Sequence, residues 1–274
     1  MKKHLILLTL ILATQNANSQ FGSGNGTSAS PYQITTRQHL EALATNVNGG
    51  NPYTGIHFKL MNNITDGVRS VIGNSIRAFQ GVFDGQGYAI TLAINRVRED
   101  NVGLFGRVFN ATIKNVSVNG NVIGRDYVGG ITGCAPGPYS SIVNCINTGN
   151  ISGNSFVGGI TGGGTQIINC INTGNIIGVD FVGGIAGGGF SKQITNCMNL
   201  GDISGKGHIG GVIGCDNNSD VVITYCVNYG FVKGKDTGVG GINGHYYHTI
   251  RNCINTAVVE GEDASVTGPI QGSP

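Results

Sequence analysis

Residues 128–153 read VGGITGCAPGPYSSIVNCINTGNISG, and this stretch returns four times further along the chain. The copies start at Val157 (VGGITGGGTQIINCINTGNIIG), Val182 (VGGIAGGGFSKQITNCMNLGDISG), Ile209 (IGGVIGCDNNSDVVITYCVNYGFVKG) and Val239 (VGGINGHYYHTIRNCINTAVVEG), with a fainter copy at Val102 (VGLFG). Successive starts lie 26, 29, 25, 27 and 30 residues apart. A period in that range marks a solenoid.

Aligned copies place Ile142, Ile167, Ile194, Ile223 and Ile250 in one column and Cys145, Cys170, Cys197, Cys226 and Cys253 in another, three residues on. A third apolar column follows at Ile151, Ile176, Ile203, Val232 and Val259. The segments are short, β-branched and separated by Gly, Asn and Ser, which is strand chemistry. Three such strands per unit, with a bend after each, form one coil of a right-handed parallel β-helix of about six regular coils. The leucine-rich repeat has a similar period, but it needs several leucines per unit, and the five clear units hold only Leu200.

Residues three apart on a flat strand face opposite sides, so the Ile and Cys columns share the interior only if the chain bends between them. Asn144, Asn169, Asn196 and Asn252 precede the cysteines, with Tyr225 as the exception. Asn accepts the left-handed conformation of such a bend, and coils about 4.8 Å apart would align these amides into a ladder. With Cys inside, Ile146, Ile171, Met198, Val227 and Ile254 form an exposed stripe; with Cys outside, the two columns exchange roles. A small thiol suits a crowded interior. The same parity reasoning assigns Gly129 and Gly130 to a bend that uses glycine's unconstrained φ. Asn147, Asn172, Asn199, Asn228 and Asn255 read as structural amides at the bends.

The chain begins with Met1-Lys2-Lys3, an apolar run from Leu5 to Ala13 and small residues to Ser19, the pattern of a signal peptide over 1–19. Without Lys2 and Lys3, 14 basic residues balance 14 acidic ones, so no basic stripe argues for nucleic acid. No segment is apolar for long enough to span a bilayer. The chain thus reads as secreted or displayed at the cell surface. Seven cysteines would suggest disulfides in an exported protein, but five stand in one ladder whose spacing exceeds the usual Cβ separation of a disulfide. Mostly free, buried thiols are expected.

Residues 20–101 read as an N-terminal cap with irregular first coils, 102–261 as the repeats and 262–274 as a polar tail. Phe21 to Ser30 reads as a flexible lead. Thr35 with Gln38 fits a capping box, and Leu40, Leu43, Ala44 and Val47 share one face of a short helix that would shield the first coil.

Gly-Gly-Ile-Thr-Gly (129–133 and 158–162) and Gly-Gly-Ile-Ala-Gly (183–187), each followed by Asn-Cys-Ile/Met-Asn, resemble the GLUG motif. The Pro31–Thr36 and Phe83–Tyr88 segments resemble the entry region ahead of such repeats. The resemblance implies a β-helix on bacterial surface proteins, including adhesin-like proteins and the non-catalytic parts of IgA-cleaving metallopeptidases. Their zinc motif, His-Glu-x-x-His, has no match here; His39-Leu40-Glu41 is the nearest approach.

Two groups of residues carry candidate chemistry. Asp100, Asp126 and Asp180 lie two residues before the repeat starts, where adjacent carboxylates could share Ca²⁺ or act as an acid/base pair. Asp before a strand is also an ordinary turn residue. His245, Tyr246, Tyr247 and His248 form an inserted imidazole and aromatic loop suited to stacking on a sugar or binding a metal, or serving only as solvated decoration. No catalytic motif or cofactor signature occurs. The expected function is a non-enzymatic, adhesin-like binding module for an extracellular glycan or protein. The alternatives are a β-helix polysaccharide lyase or hydrolase, and a structural surface protein that self-associates.

Overall fold

The computed structural model describes residues 20–137, 139–215, 221–236, 238–245 and 248–261. The signal-peptide segment, Tyr246, Tyr247 and the polar tail from residue 262 lie outside them. The chain winds into a parallel β-solenoid of about eight turns, with one helix among the described residues, about 5% of the chain. Its strands stack into sheets of twelve, thirteen and five strands, one on each face of the coil.

Identical side chains fall in register because each coil repeats the sequence of the last. On the first face the column Phe58, Phe83, Ile113, Ile142, Ile167, Ile194, Ile223, Ile250 runs unbroken, and all eight side chains are buried. On the second face Ile94, Val122, Ile151, Ile176, Ile203 and Val232 do the same. The third face carries Val102, Val128, Val157, Val182, Ile209 and Val239.

The coil turns at two left-handed corners. Gln86, Asn115, Asn144, Asn169, Asn196, Tyr225 and Asn252 occupy the first, with φ between 52° and 55°. Asn101, Tyr127, Phe156, Phe181 and His208 occupy the second, with φ between 55° and 58°. At the first corner the amides form an outer ladder: Asn144 donates to Asn115 (3.1 Å), Asn169 to Asn144 (3.1 Å) and Asn196 to Asn169 (2.8 Å).

The corner turns the cysteines inward, and all seven cysteines are buried and free. Their thiols have a definite task. In the ladder, the Sγ atoms of Cys170, Cys197, Cys226 and Cys253 each accept the peptide N–H of the cysteine one coil earlier at 3.4–3.5 Å, and these four and Cys145 lie 3.3–3.4 Å from the carbonyl two residues before themselves. A corner N–H that would otherwise be a buried orphan is thereby satisfied. Asn147, Asn172, Asn199 and Asn228 form a second ladder inside the coil, joined to one another and to Asn255 by bonds of 2.7–2.8 Å.

That inner ladder explains the paired glycines, and here φ is not the cause: neither glycine of the pairs 129–130, 158–159, 183–184 or 210–211 has positive φ. A Cβ added to Gly159, Gly184, Gly211 or Gly241 would overlap the side chain of Asn172, Asn199, Asn228 or Asn255. The second glycine of each pair is space for an amide.

At the N-terminal end, helix α1 (Arg37–Asn48) buries Leu40, Leu43, Ala44 and Val47. Its N-cap is Thr36, one residue after the position expected from the sequence: the Thr36 side chain accepts from His39 N–H, while Thr35 N–H donates to His39 Nδ1 at 3.1 Å. Imidazole thus takes the reciprocal role assigned to Gln38. The segment after Gln20 is also no flexible lead. Phe21 is buried against Tyr32, Tyr53 and Phe58, and Gly22 and Ser23 exchange backbone bonds with Gln33. The first strand, Tyr32–Ile34, would otherwise expose an unpaired edge.

Candidate functional site

The structure places Asp100 and Asp126 on adjacent coils and Asp180 two coils beyond Asp126, with Ser155 between. The space between the first two is already occupied by a cation. Arg125 bonds Asp100 in a fork, Nε to Oδ1 at 2.6 Å and Nη2 to Oδ2 at 2.5 Å, and its Nε lies 3.7 Å from Asp126. The other oxygen of Asp126 accepts from Ser155 N–H and Asn154 Nδ2, both at 3.1 Å. Among the described residues no three His, Cys, Asp or Glu side chains are grouped to hold a metal ion. Arg125 immediately precedes Asp126 in sequence, but only the coil register shows that it also reaches Asp100.

His245 and His248 lie at the C-terminal end of a ring ladder that the sequence reading missed. Tyr127 stacks on Phe156 at 4.6 Å, Phe156 on Phe181 at 4.7 Å and Phe181 on His208 at 4.8 Å, with rings within 20° of parallel. His245 then tilts against His208 at 5.7 Å, and His248 lies 6.5 Å from His245. Burial lowers the pKa of His245, with His208 adding to the effect; burial and the neighbouring His245 bring His248 down to about 4. At about 4 the His248 imidazole is neutral at physiological pH. The signal for the ladder was present: a ring stands one residue before each Val-Gly-Gly or Ile-Gly-Gly from 127 to 208. The rings stack their faces on each other, so the ladder braces the corner.

The thiols are equally closed to chemistry. Burial pushes Cys134 up to about 11, while hydrogen bonding to Cys197 and then burial push Cys226 up to about 12. Neither supplies a thiolate near neutrality. Asp84, in the Phe83–Tyr88 entry segment, is desolvated, yet hydrogen bonds from Asn115, Gln86 and Lys114 outweigh that and hold its carboxyl below the usual range.

What the solenoid does expose is an apolar strip on the second face. With Cys turned in, the next column turns out, and Met198, Val227 and Ile254 stand in register on its surface. Tyr225 and Tyr229 flank Val227 along the same coil, and Leu200 follows Met198 on the coil before. Tyr225 is 59% exposed, Tyr229 53% and Ile254 52%. Scattered apolar side chains are ordinary on a surface, whereas a contiguous group marks a contact.

No family model matches the chain. It is 28% identical over 143 residues to an Evansella cellulosilytica protein provisionally named a Gly-rich membrane protein, covering 48% of this chain and 16% of that one. It is 30% identical over 141 residues to the halomucin of Haloquadratum walsbyi, covering 44% of this chain and 2% of that protein. The chain therefore spans only a small part of both relatives. Among solved structures it resembles a Bacteroides ovatus protein provisionally named an immunoglobulin A1 protease, with TM-score 0.75 and 22% identity over 94% of this chain and 84% of the other. At that identity the likeness establishes the β-helix fold. No helix among the described residues is long and apolar enough to cross a membrane.

Proposed function

We propose that this chain is an exported, non-catalytic binding module of the GLUG-repeat type, adhesin-like in role, which meets an extracellular glycan or protein with its second face. The exposed rings of Tyr225 and Tyr229 on either side of half-buried Val227, bordered by Leu200 and Ile254, carry this reading. Aromatic side chains on a rigid, charge-poor surface supply contact area at little entropic cost. The membrane-protein and halomucin names of two relatives support a surface location. The test is retention of the chain on a panel of polysaccharides and glycoproteins, with product release recorded alongside. Retention without products, lost on Tyr225→Ala plus Tyr229→Ala with the fold intact, supports the module. The protease name of the structural neighbour favours a second reading, an enzyme; catalytic product formation would replace the first reading with it.

A further inference from the structure

One corner of the solenoid is longer than the repeat requires. Asn95 pairs in register with Ile123, and Val102 with Val128. The chain between Asn95 and Val102 is therefore two residues longer than the chain between Ile123 and Val128. The extra length is not slack. Arg96 N–H donates to Ile123 O at 2.7 Å, Glu99 N–H to Arg96 O at 2.8 Å, and Arg125 N–H to Glu99 O at 2.8 Å. This pinned corner stands beside the C-terminal half of α1, and between them lies a cavity of about 310 Å³ lined by Thr45, Asn48, Asn74, Arg96, Glu99 and Asp100. Insertions in a solenoid repeat map to loops on one face, often the binding face.

The lining specifies a class of ligand. Asn48 donates its amide to Val71 O at 3.0 Å, which leaves its side-chain oxygen to accept, and Thr45 Oγ1 donates to Glu41 O at 2.9 Å, which leaves its lone pairs. Glu99 and Asp100 add carboxylate acceptors, each matched by an arginine: Arg96 to Glu99 at 3.2 Å, and Arg125 to Asp100. The cavity thus sets the acceptors of Thr45, Asn48, Glu99 and Asp100 beside the donors of Arg96 and Asn74, with each lining carboxylate paired to an arginine. An anion would meet two carboxylates, and a cation would have to displace two arginines. A neutral ligand that brings several hydroxyl donors satisfies the acceptors at no charge cost. The volume lies at the small end of the range for ligand sites, about 300–1,000 Å³. We infer that the cavity between α1 and the corner at residues 96–101 binds a neutral hexose unit. This deepens the binding-module reading by giving a glycan one sugar subsite apart from the second face.

Saturation-transfer NMR on the mature chain tests it, with glucose, galactose, mannose and N-acetylglucosamine as probes and glucuronate as the charged control. At least one neutral hexose is expected to receive transfer and to bind at least tenfold more tightly than glucuronate. Two variants then place the site. Glu99→Ala removes an acceptor, and replacing residues 96–100 by Gly-Arg-Asp, copied from 124–126, removes the cavity wall while keeping the register. Both are expected to weaken binding at least tenfold at an unchanged melting temperature. Absence of transfer to every neutral hexose overturns the assignment, as does equal or tighter binding of glucuronate. Binding within twofold of wild type in a folded corner replacement also overturns it; should that variant not fold, the same result for Glu99→Ala does so. Tyr229→Ala separates this site from the second face: it should abolish retention on the macromolecule and leave hexose transfer intact.

Discussion

The first coils and the regular coils fill the same interior with different chemistry. In the first, Phe58, Phe79, Phe83 and Phe105 pack ring against ring at 5.1–5.9 Å, and the second-face column reads Ile64, Ile90, Val118. From Asn147 onward that column turns to asparagine, and from Cys145 the neighbouring one turns to cysteine, Val116 being its last aliphatic member. Dispersion is non-directional, so an aromatic interior tolerates irregular coils, such as the register shift between Ile64 and Val68. Hydrogen bonds are directional, and a ladder of them holds only if every coil repeats. Both halves bury aliphatic columns; to these the irregular half adds aromatic volume and the regular half adds matched donors and acceptors.

Truncating volume should cost most. Phe83→Ala, at a fully buried ring, is expected to lose about 3–5 kcal/mol in denaturant unfolding; a loss below 1 kcal/mol would mean the first coils are not held by packing. In the regular half Asn199→Ala leaves the Gly201 carbonyl without the Asn199 donor and takes one of the two acceptors from the Asn172 amide, which keeps Gly174 O, at a cost of about 2–3 kcal/mol. A neutral result there would make the inner ladder ornamental. Cys170→Ser should cost about 1–2 kcal/mol, because a hydroxyl with shorter bonds reaches the N–H of Cys145 and its carbonyl less well. Should Cys170→Ser melt with wild type, the thiol contacts contribute nothing.

The same thiols set a pH limit confined to the regular half. Cys226 is raised to about 12 in the folded chain, against about 8.5 unfolded. Between those values the unfolded state has released a proton that the folded state keeps, so stability falls as pH rises. Below pH 8 the melting temperature should be flat in this respect; above 9 it should drop, by up to about 1.4 kcal/mol of stability per pH unit per thiol. Cys226→Ala should flatten part of that slope. The smallest effect is expected at Tyr225, which holds φ 55° where neighbouring coils have Asn. Tyr225→Asn would join the outer ladder and gain about 0.5–1 kcal/mol, while weakening retention on the second face's ligand. A variant that is more stable yet binds as well would remove Tyr225 from the contact.

The regular half was readable because in-register repetition writes each column directly into the sequence: the Ile, Cys and Asn positions recur with the coil. What was not readable depends on neighbours distant along the chain. The paired glycines look conformational until Asn172 and Asn199 are placed opposite Gly159 and Gly184. Asp100 and Asp126 look like a cation site until Arg125 is placed between them. Phe21 looks like part of a loose lead, since one aromatic residue among Gly and Ser carries no period, and only the rings of Tyr32, Tyr53 and Phe58 explain it. The long corner at residues 96–101 is invisible without the pairs that bracket it.

The two amide ladders point in opposite directions. Inside, Asn147 donates forward to Asn172, Asn172 to Asn199 and Asn199 to Asn228. Outside, Asn196 donates back to Asn169, Asn169 to Asn144 and Asn144 to Asn115. Each line of amides polarises its own members in one sense, so either alone would accumulate an axial dipole with every added coil, as a helix does. Between the coils of Asn144 and Asn199 the two lines run against each other and their dipoles oppose; beyond Tyr225, which breaks the outer line, the inner one continues alone to Asn255. A repeat that carries both asparagines can therefore be added without lengthening a net amide dipole, whereas a repeat like that of Tyr225 cannot.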